Sequence, residues 1–136
     1  MVVFQGPQAN VTPSWYPSKA ATAKVVPTWN YAVLHGHGTL RAIEDAPWLR
    51  TLVGRLTDTH EGTRAHRWQV NDAPADYIAT MLGAIVGIEI EVVRVKAKWK
   101  VSQNRSAGDR AGVAAGLDSL GGQDATAMAS LVRGEI

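Results

Sequence analysis

The chain has 136 residues, 46% of them apolar and 19% charged, with no cysteine. That is enough for one domain with its own core, and it excludes thiolate catalysis, disulfide frameworks, iron–sulfur ligation and cysteine-based zinc sites. Fourteen Lys and Arg against twelve Asp and Glu leave a net charge of +2, so the chain is not strongly basic. Its apolar runs are too short for a membrane span or a signal-peptide core, which predicts a soluble, cytoplasmic protein.

Val2–Phe4 is a short apolar run, and residues 5–19 read as a loop rich in Gly, Pro, Ser and Asn. Pro7, Pro13 and Pro17 each disfavour helix at the residue before them. Trp15 and Tyr16 stand out in such a loop, because large aromatics normally require burial. From Val25 to Ile43 β-branched and aromatic residues predict two strands or one strongly bent strand, with Gly36-His37-Gly38 at the break. Asp45-Ala46-Pro47 is a helix start, followed by an apolar stripe at Trp48, Leu49, Leu52, Val53 and Leu56 through about His60. Asp72-Ala73-Pro74 repeats that signal, with Tyr77, Ile78, Met81, Leu82 and Ile85 as the stripe of a second helix.

Residues 88–101 carry the clearest strand pattern. Ile88, Ile90 and Val92 alternate on even numbers, then Val95, Ala97, Trp99 and Val101 on odd ones. This slip predicts a bulge near Val92–Val93, with Lys96, Lys98 and Lys100 on one face and Trp99 on the other. A helix is predicted from Ser106, its cap, to Leu117, with Asp109 in the fourth position. Residues 118–136 read as a weakly ordered tail or fraying helix.

Charge is unevenly distributed along the chain. Eight of the twelve acids lie between Glu44 and Glu91. From Arg94 to Arg110, six cations (Arg94, Lys96, Lys98, Lys100, Arg105 and Arg110) are accompanied by one acid, Asp109. Such a region suits an anion. Lys96, Lys98, Lys100 and Arg105, beside Ser102, Gln103 and Asn104, could hold a phosphate through charge-assisted hydrogen bonds. Trp99, Trp15, Tyr16, Trp29 and Tyr31 could wall a planar ligand. An exposed edge strand guarded by lysines accounts for the same pattern. His35 and His37 could supply half a metal site but have no third ligand in view, so no metal is expected. Glu89 and Glu91 read as a solvated face. No phosphate-loop, dinucleotide-fold or nucleophile-elbow motif is present.

Four segments resemble the PaiB family, whose members are described as FMN-binding negative transcriptional regulators. They are Phe4-Gln5-Gly6-Pro7, Ser14-Trp15-Tyr16-Pro17-Ser18-Lys19, Val26-Pro27-Thr28-Trp29-Asn30-Tyr31 and Lys98-Trp99-Lys100-Val101-Ser102-Gln103-Asn104-Arg105. Asp72–Ile78 and Ile85–Ile90 look like the middle region of the same family. The resemblance runs from Val3 to about Leu117. It implies a β-rich α+β domain over residues 1–117, a split β-barrel of the pyridoxamine-oxidase and flavin-reductase type, with residues 118–136 as a tail. It also implies a homodimer with FMN near the subunit interface. Carried over motif by motif, the cofactor-binding positions are Trp15, Tyr16, Ser18, Lys19, Thr28, Trp29, Asn30, Lys98, Lys100, Ser102, Gln103 and Arg105. No catalytic residue is implied. Family members normally have a substantial segment before Phe-Gln-Gly-Pro, so the chain is expected to lack N-terminal barrel strands. The expected function is negative transcriptional regulation, with DNA bound directly or through another regulator. The alternatives are a flavin-dependent oxidoreductase and an inactive dimeric scaffold.

Overall fold

The computed structural model describes residues 1–135. Strand β1 spans Val2–Val11, β2 Thr28–Ile43 and β3 Gly87–Lys100. Helix α1 spans Lys19–Thr22, α2 Ala46–Glu61, α3 Ala75–Gly83, α4 Ala107–Leu120 and α5 Gln123–Arg133. The strands form one sheet in the order β1-β2-β3. β1 and β2 are antiparallel. β3 also opposes β2, because Lys100 at its end bonds Thr28 at the start of β2, and Glu89 near its start pairs with Arg41 near the end of β2. The chain is therefore α+β, but helical residues outnumber strand residues, which corrects the β-rich expectation.

Two compact units are present: Met1–His37 together with the chain from Val93 onward, and Gly38–Val92. The core of the first is Ala9 and Val11 of β1, Tyr16, Val113, Ala114 and Leu117 of α4, and Met128, Ala129 and Val132 of α5. In the second, Leu49 of α2 packs with Val70 and with Ile78 and Leu82 of α3.

Several local expectations are met. Asp45 caps α2 by accepting the Trp48 amide at 2.9 Å, with Pro47 in the first turn. Ser106 caps α4 by accepting the Asp109 amide at 3.1 Å. Other expectations need correction. β1 continues to Val11, well into the segment read as loop. The ladder absorbs Pro7 by a shift: Gln5 and Gln8 pair with Val33 and Tyr31, three steps against two. An extra residue in an antiparallel pair is a bulge, and a bulge tolerates a proline that cannot donate to the ladder. β2 is one continuous strand of 16 residues. Its Gly38 marks a close approach rather than a break, since a Cβ there would lie 2.0 Å from the Glu91 carbonyl oxygen. α3 begins at Ala75 behind Pro74, not behind Asp72. The Asp72 carboxylate is already engaged, accepting the Gln69 amide at 2.8 Å to close the 3-10 turn Val70–Asp72.

The largest correction concerns the C-terminal segment. Residues 123–133 form α5, and Met128, Ala129 and Val132 are fully part of the core. Ala125, Met128, Ala129 and Val132 recur at helical spacing, so this face was present in the sequence. Gly121 and Gly122 turn the chain between α4 and α5 with φ of +68° and +85°, which residues other than glycine rarely adopt. Asp124 near the N-terminus and Arg133 in the last turn of α5 complement the helix dipole.

Candidate functional site

All twelve residues proposed from the sequence fall in the unit that contains β1, α4 and α5. They do not share one surface. Within β2 the burial alternates: Asn30 and Ala32 face the core, whereas Trp29 is 48% exposed. Strand side chains point to opposite faces in turn, so Trp29 and Asn30 serve different surfaces. The Trp29 indole N–H donates to the Gln8 side-chain oxygen at 3.1 Å, beside an open depression lined by Gln5, Tyr31 and Val33. Trp99, also half exposed, lines a neighbouring apolar depression with Phe4, Val33 and Leu34.

A second group gathers where the start of β2 meets the end of β3. The Lys100 ammonium donates to the Thr28 hydroxyl at 2.7 Å. The buried Asn30 amide donates to the buried Ser102 hydroxyl at 3.0 Å. Ser102 has φ of +62°, in the left-handed region, and turns the chain after β3. Gln103 clasps that turn, accepting the Val101 amide and donating to the Trp99 carbonyl, each at 2.8 Å. The turn delivers Arg105, whose guanidinium lies 4.7 Å from the centre of the Tyr16 ring. A cation over an aromatic face is attracted by the ring quadrupole.

Trp15 and Tyr16 belong to the packing of the domain. Tyr16 is 3% exposed within the core, and Trp15 packs against its edge. Small residues on α4 make this possible. A Cβ at Gly116 would lie 2.3 Å from the Trp15 ring, and one at Gly112 would lie 2.1 Å from the Trp15 carbonyl oxygen. The Tyr16 hydroxyl is buried without a hydrogen-bond partner. Lys19 is exposed on α1, and Lys98 is exposed on β3.

The sequence reading missed one residue of this group. Asp109 was expected in the first turn of α4, and its amide does complete the Ser106 cap. Its carboxylate, however, accepts the Ser18 amide at 3.1 Å and the Ser18 hydroxyl at 2.8 Å. The Ser18 amide, then its hydroxyl, hold the carboxyl below the usual carboxylate range. Burial opposes them, and the Arg105 charge and the Ser106 hydroxyl assist. The available signal was its solitude, as the one acid among six cations. None of Arg94, Lys96, Lys98, Lys100 and Arg105 forms an ion pair among the described residues.

His35 and His37 are half buried on β2. Partial burial, followed by the charges of Arg94, Lys96 and the N-terminus and by His35, holds His37 below the ordinary histidine range. Among the described residues no group of three or more His, Cys, Asp or Glu is placed to hold a metal ion. No described helix is long and apolar enough to cross a membrane.

Residues 1–94 match the family model described as "Putative FMN-binding domain". The chain belongs to this family and is PaiB-like. An uncharacterized protein of Emericella nidulans is 37% identical over 144 residues, covering 98% of this chain and 57% of that protein. One of Aspergillus fumigatus is 35% identical over 149 residues, with the same coverage. The Bacillus subtilis protease synthase and sporulation protein PAI 2 is 30% identical over 136 residues, covering all of this chain and 63% of that protein. The chain thus spans 57–63% of the length of these relatives. The family match ends at residue 94, before Lys98–Arg105, whereas the match to PAI 2 includes that stretch.

Proposed function

We propose that this chain is the flavin-holding part of a cytoplasmic, homodimeric negative transcriptional regulator of the PaiB type, built on a split β-barrel. The observation that carries the FMN-binding reading is the run of unpaired cations along β3 and its following turn. The one acid between Arg94 and Arg110, Asp109, accepts two hydrogen bonds from Ser18. β3 is an edge strand, so these side chains have no further strand beside them among the described residues.

The donor set suits a phosphate. Lys98 and Lys100 share a strand face by the period of two, and Thr28 adds a hydroxyl to the Lys100 ammonium. Arg105 follows through a turn fixed by Gln103 and by the Asn30–Ser102 pair, and it presents a planar fork of donors. The half-exposed rings of Trp29 and Trp99 lie on the other face of the sheet from Lys98, Lys100 and Thr28, so they are not part of the surface that would hold the phosphate. When bound, FMN supplies a redox-active ring. The chain's own residues supply charge and shape.

Regulation through DNA, directly or by way of a second regulator, is part of the same proposal. Direct contact would use the Arg94–Arg110 cations on phosphates and would weaken steeply with salt. The FMN-binding reading is tested by titrating FMN fluorescence against the wild-type chain and against Lys100→Ala, Arg105→Ala and Lys96→Ala. A charged hydrogen bond contributes about 1.5–3 kcal/mol. Losing Lys100 or Arg105 is therefore expected to weaken binding roughly tenfold to a hundredfold, with Lys96 mattering less. Negligible losses in all three would overturn it and leave the lysines as guards of an edge strand.

A further inference from the structure

Asp109 is 4% exposed, and both of its oxygens are used by a single distant residue. Ser18 precedes α1 but makes no side-chain cap to that helix. A serine in this place ordinarily turns its hydroxyl onto the amides of its own helix. Here the hydroxyl and the backbone amide are both given to Asp109, across 91 residues of chain.

The carboxylate therefore ties together two segments that carry cations. On one side, Ser18 directly precedes Lys19 and lies two residues after Tyr16. On the other, Arg105 lies over the Tyr16 ring at 4.7 Å, and its charge acts on Asp109. An acid beside an anion site would normally repel the anion. Asp109 nevertheless stays ionised, held so by two Ser18 donors and the nearby Arg105 charge, so its place beside these cations is accounted for by the segments it ties together.

We propose that Asp109 is a positioning residue for anion recognition: by holding Ser18 with two hydrogen bonds, it fixes the backbone that carries Lys19 and the Tyr16 surface on which Arg105 lies. The phosphate of FMN would then be held by cations whose placement depends on a residue that does not touch it. This inference rests on the FMN-binding reading above.

The phosphate itself separates positioning from general support of the fold. FMN and riboflavin share the isoalloxazine and ribityl chain and differ in the phosphate. Both are titrated by fluorescence quenching against wild type, Asp109→Asn, Ser18→Ala and Ser18→Thr. Asp109→Asn keeps the volume, Ser18→Ala removes one hydrogen bond at a partly exposed loop, and Ser18→Thr restores the hydroxyl. Misplacing Lys19 or Arg105 costs the phosphate about one charged hydrogen bond, so FMN is expected to weaken roughly tenfold in Asp109→Asn and Ser18→Ala, with riboflavin affinity nearly unchanged. Ser18→Thr is expected to return FMN affinity to the wild-type value. Equal loss of FMN and riboflavin would make Asp109 a merely structural residue and overturn the inference. Wild-type FMN affinity in Ser18→Ala would overturn it as well. A wild-type chain that binds FMN no better than riboflavin would overturn the phosphate reading beneath it, so the two failures are told apart by the wild-type arm alone.

Discussion

The Asn30 side-chain amide donates to the Ser102 hydroxyl at 3.0 Å, joining the start of β2 to the turn after β3 where both residues are buried. Asn30 is wholly inaccessible to water, so removing its partner leaves a polar group that solvent cannot satisfy. Ser102→Ala is therefore expected to destabilise the domain by about 1–3 kcal/mol. Ser102→Gly loses the same bond but relaxes the left-handed backbone at φ of +62°, and should cost less than Ser102→Ala. Urea denaturation of the two variants checks the order. Equal stability of wild type and Ser102→Ala would show that the pair contributes nothing.

Glycines on helices offer a contrast of sign. Gly112 and Gly116 of α4 lie against the Trp15 carbonyl and ring at distances that no Cβ tolerates. Gly116→Ala must displace a tryptophan packed on the core, and overpacking of this kind costs about 1–3 kcal/mol. Gly54, inside α2, has nothing within 4 Å of the position a Cβ would take. Gly54→Ala should stabilise the protein by about 0.5–1 kcal/mol through helix propensity. Thermal melts followed by tryptophan emission should show opposite shifts, and a blue or red displacement of emission only for Gly116→Ala.

Acid pH should weaken the fold through His37. Its folded-state pKa lies below the ordinary histidine range, first by partial burial and then by Arg94 and Lys96. Between the folded and unfolded values the unfolded chain binds the extra proton, so stability rises with pH there and falls on acidification. Replacing His37 with Gln should flatten that part of the stability curve. Asp109, whose pKa is also lowered, acts in a further window: its contribution is present above the unfolded carboxylate value and is lost as pH falls below the usual carboxylate range. Urea midpoints measured between pH 4 and pH 8 for wild type and His37→Gln test the first window, and an unchanged slope in the variant would contradict it.

Much of this protein was determined by local sequence. The Asp45 and Ser106 caps, the apolar stripe of α2 and the strand over 87–100 follow from hydrogen-bonding side chains and short periodicities, which act over a few residues. The cationic stretch from Arg94 to Arg110 was equally legible, because charge along a strand does not depend on what packs beside it. Other features were decided by tertiary structure. Pro7 reads as a breaker until the bulge opposite Tyr31–Val33 takes up the extra residue. The apolar face of α5 stands in the sequence at helical spacing, but only its packing on β1 and α4, which buries Met128 and Val132, makes it part of the core. Trp29 and Asn30 are neighbours in one motif, yet the pleat sends them to opposite faces. The partnership of Ser18 with Asp109 spans 91 residues, and no local pattern encodes which distant donors will fill a buried carboxylate. Helix starts and strand faces are short-range consequences of backbone geometry, whereas the assembly of a site depends on contacts that exist only once the chain has closed on itself.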